Sequence, residues 1–442
     1  PNSQLFGFTG TPIFEQNATY TAIENEERKY VTTESVFPNL LHKYTITNAI
    51  EDENVLRFHI DYFHGIDVNT SDIKSKTDKK TIAENILDKH GRATAGRKFN
   101  ALFAVSSIDD AIEYYKIFKE ENAKINERDR LNITCVFSPP ARNNPDILQL
   151  QEDLEQEKAD NKIEPDRKEQ VLTDIINDYN AKYGTNFSIT KFDEYYKDIQ
   201  ERIKNHQYFS ERHKREMSAD ITIVVDMLLT GFDSKYLNTL YADKNLRYHS
   251  LIQAFSRTNR VLNSSKPFGN ILDFRGQKLR VDEAVACFSG SESDGAGEVW
   301  LVRPAEEVID NYEKAVEKVK NFMEGHGLDF NPAEVCNIKG DNAKIEFVNL
   351  FKDVQRLKTQ LEQYTDLTED NISRINEIIS EDDIKGFKRE YLETAKHIRD
   401  LQDKNRGTGS EEIQNTELEL VLFASSVIDY DYIMELIAQY AG

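Results

Sequence analysis

Cysteine is scarce in this chain: Cys135, Cys287 and Cys336 are the only three in 442 residues. Odd in number and far apart, they exclude a disulfide framework and offer no zinc-ligand spacing. They imply a reducing, cytoplasmic setting. Nowhere do about 18 or more apolar residues run together, so no membrane-spanning helix and no membrane partner are expected. An initiator methionine and a signal-peptide pattern are both missing. The chain starts at Pro1, enters the apolar run Leu5 to Phe8 at once, and is expected to be part of a longer polypeptide. Positive charge is in short supply: 56 Lys and Arg stand against 78 Asp and Glu, a net charge of −22. That balance excludes nucleic acid wrapped over the whole surface, so any DNA must be met through a local groove. What is present, 39% hydrophobic and 30% charged residues, suits a globular protein, and the length predicts two domains with an additional insertion.

Up to about residue 290 the chain alternates short branched apolar runs with helical patterns. Val55–Ile60, Ala101–Ser106, Asn132–Phe137, Ile221–Met227, Thr239–Ala242 and Asn270–Phe274 read as strands; Ile108–Phe118 and Tyr248–Asn259 read as helices. Strands separated by helices predict βαβ units and a parallel sheet covered on both faces. Residues 141–216 break the rhythm with long, highly charged helical sequence, expected as an insertion carried on the outside of the sheet. A Ser-, Gly- and acid-rich stretch over 289–298 reads as a linker. Beyond it, Pro304 opens a helix with an apolar stripe of Val308, Tyr312, Ala315, Val319 and Phe322. Further helices are expected through Phe347 to Tyr364, through Phe387 to Leu401 and over Val427–Tyr440, making an all-helical domain.

Three segments carry chemistry. In Gln253-Ala-Phe-Ser-Arg257-Thr-Asn-Arg260 the spacing of four and three puts Gln253, Arg257 and Arg260 on one helix face, where two planar guanidiniums can grip a triphosphate. A surface helix whose arginines pair with nearby carboxylates explains the same residues equally well. Asp226-Met-Leu-Leu-Thr230-Gly231-Phe232-Asp233 ends the most hydrophobic strand, where parallel sheets form their ligand crevice; Thr230 and Gly231 can offer a hydroxyl and N–H groups to a phosphate. An ordinary strand-to-loop turn is the plainer account. Phe8-Thr9-Gly10-Thr11-Pro12 places small hydroxyl residues after a strand, though the same residues also make a common turn. Pro145-Asp146 and Pro165-Asp166 lack a following strand with Glu-x-Lys and read as helix starts, not nuclease residues. The basic stretch Arg202, Lys204, Arg212, Lys214 and Arg215 could line a groove or be a solvated face, and His206 and His213 within it have no metal-ligand companions.

The order of these segments resembles superfamily 2 helicase-like motors from motif III to motif VI. The wordings Phe6-Gly-Phe-Thr-Gly-Thr-Pro, Leu228-Leu-Thr-Gly-Phe-Asp and Leu251-Ile-Gln-Ala-Phe-Ser-Arg-Thr-Asn-Arg look like the motor (R) subunit of type I restriction enzymes. The resemblance covers about residues 5–275; over 300–442 it rests on helical architecture. It implies an α/β, RecA-like parallel sheet (the second helicase lobe) with a helical insertion at about 141–216, followed by an all-helical C-terminal domain. The boundaries expected are 1–24 for a remnant of the first lobe with its linker, 25–288 for the second lobe, and 289–442 for the helical domain.

The resemblance further implies ATP and Mg²⁺ as cofactors of the full-length protein and an ATP-dependent translocase within a site-specific deoxyribonuclease. No Gly-Lys-Ser/Thr loop occurs in this chain, so the isolated fragment is expected to bind no cofactor alone and to be inactive. Arg257 and Arg260 are the arginine-finger candidates, Gln253 a positioning residue, and Gly231 and Asp233 members of the nucleotide-side loop. Thr9, Gly10 and Thr11 would couple the lobes, and Ser106, Ser107 and Thr230 would touch the DNA backbone. Expected partners are double-stranded DNA, the methyltransferase and specificity subunits, and the companion N-terminal lobe and nuclease domain. Another superfamily 2 translocase or remodeller, or a non-catalytic partner-binding module, stands as the alternative.

Overall fold

A computed structural model of the chain describes residues 6–7, 9, 11–15, 18, 21–24, 27–42, 44–63, 78–205, 217–289 and 296–404. It divides into two compact units, Pro1–Leu262 with Phe268–Val302, and Asn263–Pro267 with Arg303–Gly442. Among the described residues no helix is long and apolar enough to cross a membrane.

The first unit begins with an antiparallel pair, β1 (Thr21–Glu24) and β2 (Glu27–Tyr30), and two short helices, α1 (Thr33–Val36) and α2 (Ile46–Glu51). Its centre is a six-stranded parallel sheet of β3 (Phe58–Tyr62), β4 (Asn100–Val105), β5 (Ile133–Val136), β6 (Ile221–Val224), β7 (Leu237–Asp243) and β8 (Gly269–Asp273). The strand order is β3-β8-β7-β4-β6-β5, and every pairing is parallel. Every residue of β4, β6, β7 and β8 is buried. Because successive side chains of a strand point to opposite faces, both faces must be covered. Helices α3 (Lys79–Ala93), α4 (Ile108–Ala123), α9 (Tyr248–Phe255) and α10 (Lys278–Phe288) follow β3, β4, β7 and β8, and α5–α8 lie between β5 and β6.

Over its described residues, 141–205, the 141–216 segment is helical as its charge suggests: α5 (Pro145–Leu150), α6 (Glu155–Asp160), α7 (Pro165–Tyr183) and α8 (Phe192–Lys204). Pro145 and Pro165 each open a helix, so both Pro-Asp pairs are helix starts. The segment is not, however, carried on the outside. Leu172, Ile175, Ile176, Tyr179 and Tyr183 of α7, with Phe192, Tyr195, Ile199 and Ile203 of α8, are buried in the same core as the strands. Tyr195 donates its hydroxyl to the Cys135 carbonyl of β5 at 2.7 Å, and Tyr183 donates to Ser218 O at 2.8 Å. It is a covering layer of the sheet.

The linker reading fails at its end. Ala296–Trp300 forms a helix, α11, and Trp300, the single tryptophan, is buried in the first unit with its indole N–H on Thr47 Oγ1 at 2.9 Å. The division therefore falls after Val302. The second unit holds α12 (Ala305–Gly325), α13 (Asp341–Leu361), α14 (Glu369–Ile378) and α15 (Glu381–Lys404). The predicted stripe Val308, Tyr312, Ala315, Val319 and Phe322 is buried, as are Phe347, Phe351, Phe387 and Tyr391. The helix expected over Val427–Tyr440 lies outside the described residues.

Candidate functional site

Parallel strands all end on one edge, so the residues after β4, β6, β7 and β8 gather there. The helix carrying the Gln253–Arg260 segment is shorter than its sequence suggests. It stops at Phe255, capped by Ser256, and the two arginines lie beyond it. Polar side chains turn back on the helix end: Thr258 Oγ1 donates to Phe255 O at 2.8 Å and Arg257 Nε to Gln253 O at 3.0 Å. Such bonds compete with further helical turns. Arg260 instead forms an isolated antiparallel bridge with Val55.

The three side chains nevertheless converge on the other singled-out segments. Gln253 Nε2 donates to Thr11 Oγ1 at 3.1 Å. Arg257 donates from a terminal nitrogen to the Phe232 carbonyl. Arg260 Nε pairs with Asp233 Oδ1 at 2.8 Å, both side chains well exposed. Thus Thr11, the Thr230–Asp233 loop and the Gln253–Arg260 segment form one cluster. Two guanidiniums share a single carboxylate, and burial followed by the charge of Arg260 lowers the Arg257 pKa. The cluster carries an excess positive charge, a donor set suited to a polyphosphate. Thr9 Oγ1 accepts the Thr11 N–H at 3.1 Å; Gly10 lies outside the described residues.

The loop after β6 is held in an unusual backbone. Gly231 has φ +69°, and the buried Leu228 has φ +66°, left-handed for a leucine. Its start is clamped by a residue the sequence did not flag. Glu157 of α6, fully buried, accepts the N–H groups of Asp226 at 2.9 Å and Met227 at 3.1 Å on Oε1, and of Ser138 at 2.6 Å on Oε2. Burial pushes its carboxyl above the ordinary range while those N–H groups pull it back. In return Asp226 Oδ2 accepts the Gln156 N–H at 3.0 Å, and Lys244 Nζ binds Asp226 Oδ1 at 2.6 Å. Charge at 155–160 was the signal available, but its partners lie about seventy residues away in the chain.

Ser106 and Ser107 follow β4, as expected, but both hydroxyls have partners within the protein. Ser106 Oγ donates to Asp243 O at 3.0 Å and receives Arg275 at 3.2 Å; Ser107 caps α4 through Asp110. Asp160 Oδ2 also accepts the Ile108 N–H at 2.8 Å, placing a carboxylate on that helix start. Thr230 is exposed at the loop tip. Arg202 turns inward, onto Asp198, Tyr179 and the Met217 carbonyl, and lines no groove. Arg212, Lys214, Arg215, His206 and His213 lie outside the described residues. A cavity of about 310 Å³ among Tyr115, Tyr179, Tyr183 and Tyr195 contains none of the cluster residues.

Three family models match the chain: "Type I restriction enzyme subunit R domain 3" over residues 97–276, "Type I restriction and modification enzyme - subunit R C terminal" over 300–442, and "SWI2/SNF2 ATPase" over 1–92. A type I restriction enzyme endonuclease subunit of Staphylococcus aureus is 30% identical over 99% of this chain. The chain belongs to the type I restriction enzyme R subunit family. It spans 44% of the length of that relative, and 44% of a Staphylococcus saprophyticus endonuclease subunit that is 31% identical over 99% of the chain. Among solved structures, a fragment described as an HsdR subunit from Vibrio vulnificus aligns with 59% of this chain and 39% of its own at 13% identity and a TM-score of 0.35. The type ISP enzyme LlaBIII bound to DNA aligns with 93% of this chain and 31% of its own at 10% identity and a TM-score of 0.30. For this R-subunit chain the C-terminal match covers the helical region, where the sequence resemblance rested on architecture alone.

Proposed function

We propose that this chain supplies the second lobe and helical region of an ATP-dependent motor that moves double-stranded DNA, as part of a type I restriction enzyme R subunit. The observation that carries the reading is the convergence of Gln253, Arg257 and Arg260 on Thr11 and on the Phe232–Asp233 loop. Three segments far apart in sequence meet at the edge where β3, β7 and β8 begin, and the meeting leaves one guanidinium charge without a carboxylate among the described residues.

ATP, held with Mg²⁺, would supply free energy through transfer of its γ-phosphoryl group to water. The chain's own residues then have separable tasks. Arg260 exchanges the exposed Asp233 carboxylate for phosphate oxygens, and Arg257, anchored on Phe232 O, holds the loop against the arginine turn. Gln253 links that turn to Thr11, so movement at the phosphates reaches the Thr9–Thr11 segment. The Gly-Lys-Ser/Thr loop and the Mg²⁺-binding acids would come from a companion lobe, and a nuclease domain, methyltransferase and specificity subunits would complete the enzyme. Ser106, Ser107 and Thr230 would contact the DNA backbone, tracking it without reading bases.

Arg257→Ala and Arg260→Ala, each made in the full-length subunit, test this. DNA-dependent ATP turnover should fall by about 10³ or more, the worth of an arginine finger, with subunit assembly intact. Normal turnover in both variants would refute the assignment.

A further inference from the structure

The edge where the strands end, opposite the one that holds the arginine turn, carries its own electropositive feature. Arg247 follows β7, and Arg275, Lys278 and Arg280 follow the neighbouring β8. These two loops are tied together. Arg280 donates to Asn245 Oδ1 at 2.8 Å, Gln277 Oε1 accepts the Leu246 N–H at 2.7 Å, and Arg275 Nε pairs with Asp243 Oδ1 at 2.6 Å.

Three carboxylates at the ends of these strands are already committed. Asp243 is buried and held by Arg275 and the Tyr114 hydroxyl, Asp273 by the N–H and side chain of Gln277, and Asp226 by Lys244. Arg247, Lys278 and Arg280 form no ion pair among the described residues, not even with Asp282 and Glu283 nearby on α10. Their placement also works against the fold. They stand at the starts of α9 and α10, where the helix dipole repels cations, and neither helix has an acid in its first turn. Helices α4, α7, α8, α12 and α13 begin with acids. Cations held at a cost to stability, in a chain of net charge −22, need an anionic partner to account for them.

We infer that Arg247, Lys278 and Arg280, with Arg275 beside Ser106, form a surface that binds the sugar-phosphate backbone of duplex DNA. The inference rests on the motor reading and extends its DNA contacts from Ser106 across the ends of β7 and β8. Planar guanidiniums and a mobile ammonium over an exposed edge suit a sequence-independent track of phosphates.

The test is the triple variant R247Q/K278Q/R280Q of the full-length protein, titrated with two duplexes of unrelated sequence over a series of NaCl concentrations. Each lost phosphate contact should reduce the slope of log K against log salt by about 0.9, and affinity at low salt should fall roughly tenfold or more, equally for both sequences. Its unfolding midpoint should stay close to that of the wild type, because the relief of cations leaving helix starts offsets the lost Arg280–Asn245 bond. Unchanged slope and affinity would overturn the surface while the Arg260 result still decides the motor reading. So would a loss confined to one sequence, or lost binding to a protein partner with the DNA slope intact. A wild type that binds no duplex would overturn both readings.

Discussion

Glu157 is buried completely, and backbone N–H groups surround its carboxylate with no cation paired to it among the described residues. A carboxylate has two acceptor oxygens and no donor, so it satisfies the three N–H groups at once. Glutamine has nearly the same shape but turns an NH₂ group toward one of those donors. Glu157→Gln should therefore lower stability by about 2 kcal/mol in denaturant unfolding, the usual penalty for a buried donor left unmatched. In the full-length subunit, on the proposed motor reading, it should also slow DNA-dependent ATP turnover, because the loop from Asp226 to Asp233 loses its clamp while Arg257 and Arg260 stay in place. An unchanged unfolding midpoint would show that Leu228 keeps its left-handed backbone without the clamp.

Among the elements, the turn after α9 depends on how closely β8 approaches it. A Cβ built on Gly269 would stand 2.3 Å from Thr258 Oγ1 and 3.1 Å from the Thr258 carbonyl carbon. Thr258 is buried and bonded to Phe255 O, so it cannot swing aside. Gly269→Ala should cost about 1–3 kcal/mol by overpacking and should displace Arg257 and Arg260 without altering either. Reduced ATP turnover of the full-length subunit together with a lower melting midpoint is the expected pair of results; an unaffected midpoint would mean that the turn yields freely. This contact also marks where sequence reasoning stopped. Apolar spacing through Leu251, Ile252 and Phe255 announced α9, and the strand runs announced the parallel sheet, because periodicity is written locally. The helix end was not legible, since Arg257 and Thr258 spend their hydrogen bonds on groups that periodicity ignores. Helix α8 was hidden differently: Phe192, Tyr195, Ile199 and Ile203 are spaced for burial, but the charged residues between them suggested an outer arm. Gln253 and Thr11 were each legible as candidates, and only the fold brought them into contact across 242 positions.

Over the whole molecule, charge sets two opposite responses to salt. A net charge of −22 makes the compact state repel itself over distances comparable with the Debye length, about 30 Å at 0.01 M and 8 Å at 0.15 M salt. The described ion pairs oppose this only weakly, because many are exposed, such as Lys119–Asp178 and Arg142–Asp166. Raising NaCl from about 0.02 to about 0.3 M should therefore raise the melting midpoint by a few degrees, as screening relieves the long-range repulsion first. Duplex binding should weaken over the same range, since each counterion released by phosphate contacts at the proposed β7–β8 surface gains less entropy as bulk salt rises. The two trends run in opposite directions because one reports the global acidic field and the other a small basic surface within it. A midpoint that falls with salt would mean that local pairs outweigh the field, and the positive edge would then lose its distinction from the rest of the surface.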